Sequence, residues 1–177
     1  PDRLDLRAER AGLLAEQGRT DEAVEGFEAL ADHHLHNGDL EAGLDMLREA
    51  LAVQPDRRSL LARTAELLER AGETEQAVEH AEHLAGLNRR QTDRSSNIPV
   101  LEKLLTYRPE QHELRAELGG LYEAEGDIDK AVEQLYRTSQ GLAQSDPGDE
   151  RIAGYCRRVM ALAPEFTPVR ELLVENC

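Results

Sequence analysis

The residues best equipped for chemistry are six histidines, two cysteines and an excess of carboxylates. His33, His34 and His36 follow Asp32. On a helix, His33 and His36 share a face, and His80 and His83 repeat the same step. Such a pair supplies two of the ligands that Zn²⁺ or Ni²⁺ takes. No cysteine or third ligand completes either pair in the sequence, and neither a metal nor any other cofactor is expected. Cys156 and Cys177 form no close pair, which suggests no disulfide framework and a reducing, cytoplasmic compartment. The sequence holds no Ser/His/Asp order, glycine-rich phosphate loop or nucleophile elbow. Among 36 Asp and Glu residues, no two are singled out as a general acid and base. No catalytic residue and no enzyme activity are expected.

The carboxylates do act in bulk. The formal net charge is −15, which repels phosphate backbones and anionic lipid and argues against a nucleic-acid partner. Residues 1–54 carry 13 acids against 5 bases, 55–108 carry 9 against 9, and 109–177 carry 14 against 7. No run approaches the roughly 18 apolar residues of a membrane span, so no membrane insertion is expected. No secretory leader is visible. Aromatics are 3% of the chain and Trp is absent, which leaves Ala and Leu to fill the interior and favours helices in close approach.

The elements that position these groups repeat in register every 54 residues. Pro1-Asp2, Pro55-Asp56, Pro109-Glu110 and Pro164-Glu165 open successive copies. Gly18, Gly72 and Gly126 punctuate them, each followed five residues on by Ala-Val. Leu6, Leu60 and Leu114 share a phase, and a one-residue slip falls near Asp146-Pro147-Gly148. The copies are 1–54, 55–108, 109–163 and a partial 164–177. A fixed period of this kind marks a stacked array whose units contact mainly their neighbours.

Each copy divides into three helices. Leu6, Arg10, Leu13, Leu14 and Gln17 recur at helical steps, and Gly18 stops that helix as a left-handed residue. Thr20 is placed to cap the second, which runs through Val24, Phe27 and Leu30 to Gly38. Asp39 caps the third, which Pro55 closes. The same reading gives helices near 57–71, 74–87, 97–107, 111–125, 128–143, 149–162 and 166–176, about ten in all. Small residues at Ala11, Ala65 and Gly119, with Ala23, Ala77 and Ala131, let paired helices approach. Asn88–Asn97 is an irregular polar loop, expected to be exposed and mobile, with Arg89, Arg90 and Arg94 as a basic contact point. Cys156 falls in phase with Leu47 and Leu101 and reads as a small buried residue.

These segments resemble tetratricopeptide repeats (TPR), helix–turn–helix units of about 34 residues with a Trp-x2-Leu-Gly-x2-Tyr … Ala-x3-Phe … Pro signature. Leu118-Gly119-x2-Tyr122 followed by Ala131-x3-Leu135 carries the likeness best. Phe27-x2-Leu30-Ala31 with Gly43-x3-Leu47 and Pro55, Ala23-x3-Phe27, and Ala65-x2-Leu68 with Ala77 extend it over nearly the whole chain. The 54-residue period is read as units that share a helix, with residues 20–37 serving as second helix of one and first helix of the next. The resemblance implies an all-α, right-handed α-solenoid, a single domain over 1–177. The chain opens on Pro and neither end shows a polar capping helix, so a piece of a longer array is expected.

In this family the concave side, lined by the first helix of each unit, usually holds the ligand. The resemblance therefore implies a partner-binding row of Glu9, Glu16, Glu25, Glu28, Asp32, Glu66, Glu69, Glu79, Glu82, Glu113, Glu117 and Glu123, with Tyr136 and Arg137 beside it. The expected function is a non-catalytic protein–protein interaction scaffold that takes a basic peptide or helix in an acidic groove within a larger multi-subunit complex. The alternatives are a regulatory or sensor module controlling an attached or partner domain, and a self-assembling oligomer.

Overall fold

The computed structural model describes residues 3–91 and 94–175. Among them are ten α-helices, one short 3₁₀ turn (Ser95–Asn97) and no strand. In chain order the helices are α1 (Arg3–Glu16), α2 (Thr20–His36), α3 (Leu40–Val53), α4 (Arg58–Ala71), α5 (Thr74–Asn88), α6 (Ile98–Tyr107), α7 (His112–Glu125), α8 (Ile128–Ser145), α9 (Arg151–Leu162) and α10 (Pro168–Glu175). Three helices and their turns fill each 54-residue copy, so α1, α4, α7 and α10 are first helices of successive copies. The result is the expected α-solenoid of helix pairs.

The punctuation follows local chemistry. Gly18, Gly38, Gly72 and Gly126 have φ between 77° and 81°, a region where a side chain is strained. Each ends its helix with paired back-bonds, as where Gly18 N donates to Ala15 O at 3.0 Å and Arg19 N to Leu14 O at 2.9 Å. Asp39 caps α3 by accepting from Ala42 N at 3.1 Å, and Asp127 caps α8 by accepting from Lys130 N at 3.3 Å. Thr20 does not cap α2. It is already the first helical residue, Arg19 holds the cap position without a side-chain bond, and Thr20 Oγ1 accepts from Gln54 Nε2 at 3.2 Å. Gln54 also donates to Asp21, so the end of α3 competes for the groups that begin α2.

Residues 1–87 and 88–177 form two compact units. In the first, α2 packs against both α1 and α3, and α3 against α4. Its core is almost wholly Ala, Val and Leu, with Ala23, Val24, Ala31, Leu47, Ala50, Leu60 and Leu68 fully buried. In the second, α6 packs on α7, α7 on α8, α8 on α9 and α9 on α10. Its far end is one cluster of Val132, Leu135, Leu142, Ile152, Cys156, Val159 and Val169. Cys156 is 0% exposed, as are Leu47 and Leu101 at the same phase. Cys177 lies outside the described residues.

The polar loop differs from expectation at its two ends. Asn88 and Asn97 are buried, at 4% and 1% exposure, and lie 3.4 Å apart as a side-chain hydrogen-bonded pair. The sequence suggested an exposed segment because amides usually face water. Here Asn88 Nδ2 donates to Asn97 Oδ1, and Asn97 Nδ2 donates to Glu117. Arg89, Arg90 and Arg94 are exposed, as expected.

Candidate partner-binding surface

Within the first unit, arginines bridge helices two apart in the chain. Arg63 of α4 pairs with Asp32 of α2, and Arg57, at the N-cap of α4, lies 3.5 Å from Asp21 and 3.7 Å from Glu28. Arg48 of α3 reaches Glu73 at 3.2 Å and Gln76, in the first turn of α5, at 3.4 Å. Thus α2 and α4 lie side by side in one layer, and α3 and α5 in the other. The second unit repeats the device. Arg151 of α9 bonds Glu113 of α7 at 2.9 Å, and Arg158 of α9 pairs with Glu123 of α7.

The expected acidic row is therefore not one uniform strip. Glu28, Asp32, Glu113 and Glu123 are each engaged by an arginine of the neighbouring helix in the same layer. Glu117 holds Arg89 through both oxygens, at 2.7–3.0 Å, and accepts from Asn97 Nδ2 at 3.3 Å, so it anchors the Asn88–Asn97 loop. Glu69 and Glu82 are half-buried. Glu9, Glu16, Glu25, Glu66 and Glu79 are exposed and form no ion pair among the described residues. All five belong to the first unit, and two of them, Glu25 and Glu66, sit on the adjacent helices α2 and α4. Glu9 and Glu16 lie on α1, Glu79 and Glu82 on α5. Tyr136 packs edge-to-face on Phe166, with centroids 5.0 Å apart, and Arg137 is paired with Glu133 at 2.8 Å within α8. The arginines that hold Asp32, Glu123 and Glu113 stand 31, 35 and 38 residues from them, and no short-range spacing announces them.

Charge follows the same division. Residues 1–87 hold 20 acids and 9 bases, leaving −11, and residues 88–177 hold 16 and 12, leaving −4. The hydrogen bond from Arg151 holds the Glu113 carboxyl below its ordinary value. Tyr122, buried and donating its hydroxyl to Glu102, is pushed up to about 12, first by desolvation and then by that carboxylate. Burial holds His80 below the usual imidazole value.

One histidine of each pair has a polar partner of its own. His33 Nε2 lies 3.0 Å from Asn37 Nδ2, and His83 Nε2 lies 2.9 Å from Asp56. Among the described residues, no three His, Cys, Asp or Glu side chains converge as metal ligands. No described helix is long and apolar enough to cross a membrane. What the surface offers is a field of unpaired carboxylates, suited to guanidinium and ammonium groups.

A comparison with curated proteins by sequence gives no match. Solved structures similar to this chain include that of MamA, at 16% identity and a TM-score of 0.42 over 90% of this chain and 91% of that one. Another is a putative kinesin light chain from Podosopora anserina with nearly identical TPR-like repeats, at 19% identity and 0.35 over 98% and 93%. A third is YrrB, described as a TPR protein with an unusual peptide-binding site, at 14% identity and 0.35 over 93% and 97%. A tetratricopeptide repeat sequence profile matches residues 28–93 and again 87–150, together well over half of the 177 residues. Over this span the chain supplies the helix pairs that the profile describes, and it belongs to the tetratricopeptide repeat family.

Proposed function

We propose that this chain is a non-catalytic protein-interaction scaffold that holds a basic peptide or helix along the α2–α4 layer of residues 1–87, within a larger cytoplasmic assembly. The observation that carries the reading is the uncompensated charge of that unit, −11, with Glu25 and Glu66 exposed and unpaired on adjacent helices. Carboxylates already held by arginines keep the layer in register. The remaining ones attract a cationic segment, raising its rate of encounter and selecting against acidic competitors. Arg57 and Arg63 mark where a ligand's own cations would compete with, or lie beside, the internal pairs.

The test uses a labelled eight-residue Arg/Lys peptide and its Glu counterpart, titrated with the full chain by fluorescence anisotropy. The basic peptide alone should bind, and its affinity should fall steeply as salt rises from about 0.05 to about 0.5 M, because exposed charges are then screened within a few ångströms. Glu25→Gln with Glu66→Gln should weaken binding several-fold. An equal charge change in the second unit, Glu125→Gln with Asp129→Asn, should have a smaller effect. Affinity indifferent to salt, or equal loss in both double variants, rejects the α2–α4 assignment.

A further inference from the structure

Copy three departs from copy two at two apolar positions. Leu61 of α4 is 1% exposed and Leu87 of α5 is half-buried. Fifty-four residues later the same positions hold Arg115 of α7 and Gly141 of α8. A guanidinium at an apolar phase is costly unless it is paired. Arg115 is half-buried and forms no ion pair among the described residues. Its Nη2 donates to Pro109 O at 2.6 Å and its Nη1 to Gln134 Oε1 at 3.4 Å, both neutral acceptors. Those two bonds orient the guanidinium and leave its other N–H groups unused.

A cavity of about 220 Å³ lies between the α6–α7 turn, α7 and α8. Arg115 and His112 line it from α7, and Arg137, Gln140 and Gln144 from one face of α8. Gly141 seats the imidazole, since a Cβ there would collide with His112 Cε1 and stand 2.7 Å from its Nδ1. Packed in this way, Nδ1 is buried without a hydrogen-bond partner, and Nε2 is the ring nitrogen left able to donate into the cavity. Of the carboxylates nearby, Glu110 is exposed at the cavity edge and Glu133 is paired with Arg137 at 2.8 Å. Burial, and then the charge of Arg137, hold Arg115 below its ordinary guanidinium value, against a smaller opposing pull from Glu110 and Glu133. An anion seated beside Arg115 would relieve both penalties.

We infer that this cavity binds a phosphate group, either free inorganic phosphate or a phosphoserine monoester on a partner peptide. Its donors stand on two helices rather than along one edge. A planar carboxylate is satisfied by one guanidinium edge, whereas a phosphate dianion offers three acceptor oxygens in separate directions. Arg115 supplies the oriented charge, Arg137 a second charge at the rim, and His112 Nε2 with the Gln140 and Gln144 amides the neutral donors. The site lies within residues 88–177, shares no residue with the α2–α4 acidic layer and takes a ligand of opposite charge.

Isothermal titration calorimetry of the full chain tests this with three probes: inorganic phosphate, a phosphoserine peptide flanked by Ala and Gly, and the same peptide with Glu for phosphoserine. At least one phosphate-bearing probe should bind saturably, and which of the two binds identifies the source. The Glu peptide should bind about tenfold more weakly or worse. Arg115→Leu, which installs the residue that copy two buries at this position, should weaken phosphate binding about tenfold or more through loss of charged hydrogen bonds. Arg137→Gln should weaken it several-fold. Because Arg137 is exposed, that variant reads the site whether or not Arg115→Leu folds, and circular dichroism melts check both. Arg90→Gln, which removes an exposed charge outside the cavity, should change affinity by less than about twofold. No saturation by either phosphate probe up to about 1 mM overturns the inference. So does unchanged affinity in folded Arg115→Leu and in Arg137→Gln, or a Glu peptide that binds as tightly as the phosphate probes.

Discussion

Two glycines on equivalent-looking helices have opposite roles. A Cβ built on Gly119 would stand 2.9 Å from Leu135 Cγ and 3.0 Å from its Cδ2, and Leu135 is 0% exposed with no space to withdraw. A Cβ on Gly12 meets nothing within 4 Å, and that residue lies inside α1. Gly119→Ala should therefore destabilise the chain by about 1–3 kcal/mol through overpacking. Gly12→Ala should stabilise it by about 0.5–1 kcal/mol through helix propensity. Urea unfolding followed by circular dichroism measures both, and a gain at Gly119 would show that α7 and α8 are not in such close approach. The role of Gly119 was legible because Leu118-Gly119-x2-Tyr122 announces a close helix pair. The acceptor for Tyr122 was not, since Glu102 lies 20 residues back on a different helix. For the same reason the arginine partners of Asp32, Glu113 and Glu123 escaped the sequence. A same-layer pair joins helices two apart, and no i, i+4 spacing records it.

Helix boundaries were readable to within a few residues because breaks in this chain are chemical events: a left-handed glycine, a proline, or an Asp whose side chain accepts an orphan N–H. Where two such signals competed, the sequence misled, as with Thr20, whose hydroxyl is taken by Gln54 of another helix. The Asn88–Asn97 segment shows the limit more sharply. Its composition reads as solvent loop, yet its two amides close on each other, and Arg89 and Asn97 converge on Glu117. The partners of these two buried amides are contacts that composition does not encode. Asn97→Ala would leave Asn88 buried without this partner and strip one donor from Glu117. It should cost about 1–3 kcal/mol, the scale of an unsatisfied buried polar group. Arg90→Ala, exposed in the same loop, should stay within about 0.5 kcal/mol. Thermal melts of the two variants give the comparison, and equal melting temperatures would mean that the amide pair holds nothing.

At the largest scale, three helices per copy meet the two layers of the first unit, and the parity matters. In the first unit α4 lies beside α2, while α1 packs on α2 from the facing layer, so the first helices of consecutive copies fall in opposite layers. A row drawn through equivalent sequence positions, Glu25 of α2 to Glu79 of α5 for example, therefore crosses from one layer to the other. This is why the repeat was plain in the sequence while the grouping of its acids was not. The same neighbour-only packing makes a stronger statement about stability. Each unit carries its own core: Leu30, Leu47, Leu60 and Leu68 in residues 1–87, and Leu118, Leu135, Ile152 and Val159 in 88–177. In a nearest-neighbour array the free energy of one stretch does not require contacts far along the chain. Residues 1–87 and 88–177, expressed separately, should therefore each show helical circular dichroism and a cooperative urea transition. The midpoint of the second piece should fall further on Leu135→Ala than that of the first on Leu13→Ala, because Leu135 is 0% exposed and Leu13 is 50% exposed. If either piece is unfolded alone while the full chain unfolds in one step, the chain is a single cooperative body and the two cores are not independent.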